Sequence, residues 1–521
     1  MNGRKQDGDS HRQEADGLLA DGVSHYPASE AQLQSYTAAS EALAQFRSPR
    51  LLEDGNPDQR LFVAAFDGTG NDAEKDPLHA TNVAKIHDQI LDRNLSGDTR
   101  IVPGYVAGPG TQNGTIARTT DGARGHTYDE RLEEMYKLFI DQAALWRREN
   151  PNARIAVADI GFSRGAEQAA GFSRLVHERG IQDPSGAEYT RDRDGQVIGV
   201  HYAKPPLVEP GQVPQAVGLF DPVGTGEPVE QHDRRLPPSV ICGFQLIAAD
   251  ERRGLFKATH IIDPGLSADG RLLGVVVAGA HSDVGGSYHR DGLAIRSGNL
   301  MTDYLNSLSE TPFLEKRAEP LEPGRNVVHR SEEGMLLYRL GSKVDRTQPE
   351  GYLERLVPAG RVDKVADPDN AEPVDRVLKA RYPYRAVPIG ALPEATTDER
   401  ISQPAPTSSP VPSLSARDWA LHDALKARMP AGVDEDRLMQ ATLQARRGGL
   451  DAATLERTQE VNGKLWIIGN VPGFRASLDL SQPAPPVQAS AGQLNEFDRQ
   501  REQAATPARQ PEQAPLQGPR M

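Results

Sequence analysis

Short apolar runs of strand length alternate with helical segments between residues 61 and 300, and this alternation limits the folds open to the chain. The runs cover residues 61–66, 153–161, 216–220, 240–249 and 272–280, and helical patterns cover residues 81–91, 128–149 and 165–176. An unbroken apolar run is typical of a strand buried on both faces. Strands that alternate with helices indicate a parallel sheet. We therefore predict an α/β fold with a mostly parallel sheet and helices on both faces.

At 521 residues, the chain is long for one domain and divides by composition. Residues 1–60 are polar and predict a flexible leader with a short helix near residues 30–46. Residues 61–400 form the predicted α/β domain, with its core motifs in 61–300. Residues 401–416 form a Pro/Ser linker. Residues 417–521 predict a small α+β domain that ends in a disordered Gln-rich tail.

Charge and cysteine content exclude several classes of protein. The net charge of −14 argues against nucleic acid as a partner. The single cysteine, Cys242, excludes an internal disulfide and a cysteine-based zinc site. The apolar runs are far shorter than the roughly 20 residues of a membrane-spanning helix. The start of the chain is polar and has no apolar core segment, which argues against a Sec signal peptide.

Polar residues follow four of the predicted strands directly: Asp67, Ser163, Asp221 and His281. Functional groups of parallel sheets gather at the carboxyl ends of the strands. Ser163 lies in Gly161-Phe162-Ser163-Arg164-Gly165, a G-x-S-x-G pattern between a strand and a helix. That pattern is typical of a nucleophilic serine on a tight turn, although a serine that caps a helix is the simpler interpretation.

A nucleophilic serine needs a base and an acid that orients the base. Asp221 and His281 follow Ser163 in the chain order Ser, Asp, His that serine hydrolases of this topology use. We therefore predict Ser163 as nucleophile, Asp221 as acid and His281 as base. His329 is the alternative base. The sequence-based expectation includes no cofactor and no metal.

The turn after the first strand, Asp67-Gly68-Thr69-Gly70, is suited to stabilise an oxyanion. We predict that backbone N–H groups of Arg164, Gly68 and Thr69 form the oxyanion hole. Three alternatives remain at this turn: a glycine turn capped by Asp67, a phosphatase-type aspartate nucleophile, and a metal site of Asp67, Asp72 and Asp283. The phosphatase motif requires a second aspartate at position 65, which is alanine.

Several motifs in order resemble a bacterial α/β-hydrolase family that includes the type VI secretion lipase effectors with phospholipase A activity. The motifs are FDGTGND (66–72), YVAGPGT (105–111), GFSRGA (161–166), FDPVG (220–224), DERR (250–253) and GAHSDVGGSY (279–288). The resemblance spans about residues 61–300 and implies an α/β-hydrolase-like fold, with Ser163, Asp221 and His281 as the catalytic triad.

The C-terminal part resembles a different family. Leu455-Glu456-Arg457, the segment KLWIIG (464–469) and the Gln-rich tail are similar to the recognition domain of xanthomonad-type antibacterial type IV secretion effectors. The two resemblances together imply a secreted antibacterial phospholipase that acts at the membrane or periplasm of a target bacterium. They imply three partners: membrane phospholipid, a secretion coupling protein and a cognate immunity protein. A carboxylesterase for soluble esters and a non-catalytic binding protein are the alternatives.

Overall fold

A computed structural model describes residues 18, 20–68, 79–95, 97–108, 126–191, 197–224, 229, 231–334, 336–393, 414–429, 433–447, 450–461, 464–469, 475–480 and 484–495. The chain divides into two compact units, residues 1–399 and 400–521. We describe each unit by itself.

A seven-stranded sheet forms the centre of the described part of the first unit, in the order β11-β12-β9-β8-β5-β3-β4. Its strands are β3 Gln59–Phe66, β4 Ile101–Val106, β5 Arg154–Phe162, β8 Gln215–Phe220, β9 Val240–Ala248, β11 Gly265–Leu266 and β12 Leu272–Val277. All neighbours pair in parallel except β11 and β12, which are antiparallel. The predicted α/β fold with a mostly parallel sheet is confirmed.

The strand β4 has no counterpart among the predicted strands. It contains Pro103 and Gly104, which disfavour a strand, but it lies at the edge of the sheet, where proline is tolerated. Gly104 lies so close to the neighbouring strand that a Cβ atom there would be 2.6 Å from the Phe62 ring.

Helices cover both faces of the sheet. In the first unit they are α1 Glu30–Gln45, α2 Asn82–Leu95, α3 His126–Glu149, α4 Arg164–Arg179, α5 His281–Gly285, α6 Gly292–Asn306, α7 Leu336–Leu340 and α8 Arg376–Lys379. Alternate residues of β3 point to opposite faces, as in any strand. Leu61 and Val63 join the core with α1, α2 and α6, whereas Phe62 and Phe66 join the core with α3 and α4.

The helix predicted near residues 30–46 is present as α1, and short strands at His25–Pro27 and Arg47–Pro49 flank it, so this part of the predicted flexible leader is folded. Helix α1 begins with a capping box between Ser29 and Gln32 and buries Tyr36, Ala39 and Leu43 in the sheet core. These three residues are spaced i, i+3 and i+7, so they share one face of the helix. The other positions of α1 are mostly polar residues and alanines, so the sequence shows no sustained apolar stripe that would predict burial.

Short two-stranded pairs complete the first unit. In three of the four pairs, a strand after residue 300 pairs with an earlier segment. The remaining strands are β1 His25–Pro27, β2 Arg47–Pro49, β6 Ala187–Arg191, β7 Val197–Tyr202, β10 Ala258–Thr259, β13 Val327–His329, β14 Tyr352–Leu353 and β15 Tyr384–Ala386. They pair as β1-β13, β2-β15, β6-β7 and β10-β14. Single-turn 3-10 helices span Pro323–Arg325, Ser331–Glu333 and Pro349–Gly351, and a two-turn 3-10 helix spans Ala359–Lys364.

The second unit is a small α+β assembly. Its helices are α9 Ala416–Lys426 and α10 Glu435–Arg447, and residues 487–495 are also helical. Strands β16 Leu455–Val461, β17 Lys464–Gly469 and β18 Arg475–Asp479 form an antiparallel sheet. Ser415 caps α9, so the predicted linker ends before residue 415, and its residues 401–413 lie outside the described residues. No helix among the described residues of either unit has the length and apolar content needed to cross a bilayer.

Candidate active site

Ser163 occupies a strained turn between β5 and α4. Its backbone φ is +60°, in the region that side chains normally avoid, and its side chain makes no helix-cap hydrogen bond. A Cβ atom on Gly161 would lie 2.3 Å from the carbonyl oxygen of Gly165. A Cβ atom on Gly165 would lie 2.3 Å from the carbonyl oxygen of Phe66. The two glycines therefore allow a close approach that no other residue would permit, and the side chain of Ser163 does not cap α4.

Asp221 follows β8 directly, also with a positive φ of +40°. One carboxylate oxygen, Oδ2, lies 2.5 Å from Nδ1 of His281. The other, Oδ1, accepts hydrogen bonds from the Ala248 N–H at 2.9 Å and from Arg346 at 2.6 Å. Burial would raise the pKa of Asp221, but Arg346 and His281 together lower that pKa to about 2. Asp221 is therefore a carboxylate that holds Nδ1 of His281.

His281 is the first residue of α5, just after β12. Its ring lies against Phe162, the residue before Ser163, at 4.6 Å between ring centroids, and against Phe256 at 5.1 Å. Burial lowers the pKa of His281, although Asp221 opposes this shift. With Nδ1–H donated to Asp221, the neutral ring has Nε2 as its proton acceptor. The structure thus brings two of the predicted residues into contact and places the ring beside the strand that carries Ser163.

A glycine of the HSDVGG segment makes this placement possible. A Cβ atom on Gly285 would lie 2.0 Å from the Phe162 ring. Ser163 itself has only 4% of its surface exposed, and His281 is equally buried. Low exposure keeps water away from the serine and strengthens electrostatic interactions there.

The predicted oxyanion donors have different positions. Arg164 begins α4, whose N-terminal dipole is favourable for a developing negative charge. The Gly68 N–H donates instead to Oδ1 of Asp67 at 2.7 Å, so the structure does not support Gly68 as an oxyanion donor. This contact agrees with the alternative in which Asp67 caps the glycine turn. Thr69 lies outside the described residues.

Asp67 is buried in a network of protein hydrogen bonds. Its carboxylate accepts from the Tyr105 hydroxyl at 2.6 Å and from the Thr81 hydroxyl at 2.8 Å. Asp283, a second residue of the alternative metal site, accepts from the backbone N–H groups of Ala280 and His329. Asp72 lies outside the described residues. Within the described part of the chain, no three histidine, cysteine or acidic side chains are grouped as metal ligands would be.

His329, the alternative base, has carboxylates at both ring nitrogens. Nδ1 lies 2.5 Å from Asp283 and Nε2 lies 3.0 Å from Asp21, and the ring stacks on Tyr288. Burial would lower the pKa of His329, but the two carboxylates raise that pKa to about 9. A protonated imidazole with both nitrogens engaged cannot accept a proton, so this environment favours His281 as the base.

Three residues near the triad had no predicted role. Arg346 contacts Asp221, Phe256 contacts His281, and Glu251 accepts the backbone N–H of His281 at 3.3 Å. Glu251 lies in the DERR segment, where four consecutive charges after a buried strand were a usable signal. Arg346 lies in the segment after residue 310, where no periodic pattern indicated its position.

Known proteins resemble the chain mainly in the segment that carries Ser163. Residues 60–195 match the family model described as "T6SS, Phospholipase effector Tle1-like, catalytic domain". No curated protein matches the chain significantly.

Two solved structures are also similar. One is an uncharacterized protein from Pseudomonas aeruginosa, with 17% identity and a TM-score of 0.30, over 58% of this chain and 51% of that one. Another is the Tle1 effector bound to the VgrG spike from the type 6 secretion system, with 19% identity and a TM-score of 0.24, over 44% of this chain and 51% of that one. The chain thus spans about half the length of each. By the family match, residues 60–195 are similar to the catalytic domains of type VI phospholipase effectors.

Proposed function

We propose that the chain is a secreted antibacterial phospholipase that hydrolyses acyl esters of membrane lipids through Ser163, His281 and Asp221. The observation that carries the proposal is the strained Ser163 turn at the end of β5, beside the hydrogen-bonded Asp221–His281 pair. Backbone strain of this kind costs on the order of 1–3 kcal/mol and persists where function requires it. The family match over residues 60–195 supports the same reaction.

The proposed reaction has two halves. Nε2 of His281 takes the proton of Ser163 while Oγ attacks the ester carbonyl, and Asp221 stabilises the imidazolium. The oxyanion forms next to the N-terminus of α4, near the Arg164 N–H, with Thr69 as the proposed second donor. The lysophospholipid leaves with the proton from His281. Water, activated by His281, then hydrolyses the acyl-enzyme and releases a fatty acid.

Exposed leucines next to the site support a lipid substrate over a soluble ester. Leu255 is 57% exposed and Leu340 is 79% exposed. Leu255 lies on the loop of residues 252–256, and Leu340 is the last residue of α7. The N–H of Gly254 in that loop donates to the carbonyl of Ser342, just after α7, and Phe256 of the same loop packs against His281. Apolar side chains exposed around a buried nucleophile are suited to contact with a membrane surface. A carboxylesterase for soluble esters would gain nothing from them.

Delivery is proposed separately from catalysis. The family match indicates a type VI effector and does not support the type IV route that the C-terminal resemblance implied. We propose that the second unit serves delivery and contacts the secretion machinery, and that a cognate immunity protein protects the producing cell. Action at the membrane or periplasm of a target bacterium follows from this proposal.

Product analysis with purified phospholipid vesicles tests the proposal. We expect Ser163→Ala to lose about 10⁶-fold in kcat, because serine, histidine and aspartate act as one unit. Ser173→Ala is the matched control, since the Ser173 hydroxyl bonds within the same helix, to the Ala170 carbonyl. A folded Ser163→Ala protein with full activity would refute the mechanism. Hydrolysis of soluble esters alone would favour the carboxylesterase, and no hydrolysis by the unmodified chain would favour a binding protein.

A further inference from the structure

We infer that Arg346 is a positioning residue for the triad, which holds Asp221 and the Phe256 loop in place around His281. This inference rests on the proposed function. Arg346 lies 125 residues after Asp221 in the chain, outside the segment that carries the sequence motifs.

The guanidinium of Arg346 connects two segments on either side of His281. Nη1 donates to Oδ1 of Asp221 at 2.6 Å and to the Ala248 carbonyl at 2.9 Å. Nη2 donates to the Phe256 carbonyl at 2.7 Å, and Nε donates to the same oxygen at 3.2 Å. Four hydrogen bonds from one planar guanidinium fix the orientation of the three acceptor groups, which a lysine could not do.

The Phe256 loop depends on this anchor. Its backbone pairs with the segment before Arg346, from Gly254 to the Ser342 carbonyl and from Val344 to the Arg252 carbonyl, both at 2.9 Å. The Arg253 guanidinium lies 3.4 Å above the Phe256 ring. The loop therefore presents Phe256 to the His281 ring as part of one packed assembly. The hydrogen bonds from Arg346 to the Phe256 carbonyl complete this assembly.

The negative and positive side chains around His281 nearly balance, and Arg346 supplies one of the positive charges. The groups that face the ring are Asp221, Glu251 and Arg253, with Arg346 behind Asp221. Burial and Arg346 lower the pKa of the nearby His260 to about 4, so His260 adds no charge at neutral pH. Without Arg346, the two carboxylates would outweigh Arg253. The imidazolium form of His281 would then be favoured, and the base would become neutral only at higher pH.

The test uses the full chain and three substitutions. Arg346→Met removes the charge and the hydrogen bonds, and Arg346→Lys keeps only the charge. Arg381→Met is the matched control, since Arg381 is an exposed arginine that lies outside this assembly and donates to the side-chain oxygen of Gln212 at 2.8 Å. The measurements are kcat and KM for a soluble ester across pH, and titration of the His281 ring by nitrogen NMR.

We expect Arg346→Met to lower kcat by about 10²-fold with little change in KM, because the substrate binds but the base is misplaced. The acidic limb of kcat/KM and the His281 titration should both move to higher pH. Arg346→Lys should restore the titration but not kcat. An unchanged His281 titration in a folded Arg346→Met protein would overturn the inference. Full kcat in Arg346→Lys would also overturn it, and this second measurement remains decisive if the methionine variant does not fold.

The titration distinguishes this inference from the proposed function. It reports on the Asp221–His281 pair whether or not the chain turns over an ester. If Ser163→Ala kept full activity, the proposed mechanism would fail. A shift of the His281 titration in Arg346→Met would still show that Arg346 sets the charge at this pair.

Discussion

Two buried histidines show how neighbouring groups decide a residue's role. His281 has one carboxylate at Nδ1, and burial lowers its pKa, so Nε2 is an acceptor at neutral pH. His329 lies between Asp283 and Asp21, which raise its pKa to about 9. The first environment is suited to a base, and the second is suited to a buried cation that joins the N-terminal segment to α5.

The substitution His329→Gln should therefore reduce stability rather than chemistry. Removing one partner from a buried ion pair costs about 3–5 kcal/mol, because the remaining charge is left uncompensated. We expect kcat of the folded variant to stay close to that of the unmodified chain, whereas His281→Ala should lose about 10⁶-fold. Reversed effects of the two substitutions on kcat would identify His329 as the base.

The stability that His329 contributes should depend on pH. Its folded pKa of about 9 lies above the unfolded value of roughly 6.5, so the folded state holds the proton more tightly between these values. The contribution is fully present below pH ~6.5 and is lost as the pH rises through about 9. Urea unfolding from pH 6 to 10 should show a steeper decline for the unmodified chain than for His329→Gln. Parallel curves would contradict this role.

At the scale of elements, the loop of residues 252–256 and the segment 336–344 form one structure beside the site. Backbone hydrogen bonds join them, and Arg253 stacks on both Phe256 and Tyr338. Their inner side touches His281, and their outer side carries Leu255 and Leu340. One assembly therefore contacts His281 on one side and is exposed on the other side, where a lipid surface would bind.

Replacing both leucines with serine should separate membrane contact from chemistry. Each exposed leucine can gain on the order of 1 kcal/mol by partial burial in lipid, so the double substitution Leu255→Ser, Leu340→Ser should lower vesicle hydrolysis about 30-fold. Hydrolysis of a soluble ester should not change. Leu321→Ser is the control, because Leu321 is 83% exposed but lies outside the loop 252–256 and the segment 336–344. Equal losses on vesicles and on the soluble ester would argue against membrane contact.

At the scale of the whole molecule, every described side chain of the candidate site belongs to the first unit. Its last contributor is Arg346, well before the division at residues 399 and 400. The second unit has its own core, which includes Leu421, Leu465 and Ile467, and a buried ion pair between Asp418 and Arg446 at 2.6 Å. Separate cores favour independent folding, which stays a prediction.

A chain that ends at Glu399 should keep its hydrolytic activity but lose delivery. We expect its kcat on phospholipid vesicles to stay within about twofold of the full chain, because no catalytic contact is removed. Contact-dependent killing of a competitor should disappear. Donor cells that lack either the type VI or the type IV apparatus identify the export route for the full chain. A folded but inactive truncation would show that the second unit completes the active site.

The sequence by itself predicted five of the seven strands of the central sheet, but not β4 or β11. The apolar runs of β3, β5, β8, β9 and β12 are local patterns, and so is the spacing of the glycines around Ser163, although the close approach at Gly165 is to Phe66 of β3. Such features depend on neighbours in the chain, which is why periodicity and spacing predict them. The candidate positions Ser163, Asp221 and His281 were found in the same way, as polar residues after buried strands.

Only the tertiary structure decided the contacts between distant segments. It placed Arg346 on Asp221, packed α1 on the sheet, and set His329 between Asp21 and Asp283. It also engaged the Gly68 N–H with Asp67. Residues in these contacts, apart from Gly68 and Asp67, are separated by dozens to hundreds of positions. Whether an arginine or a histidine is buried beside a carboxylate depends on how the segments pack, and no local pattern carries that information.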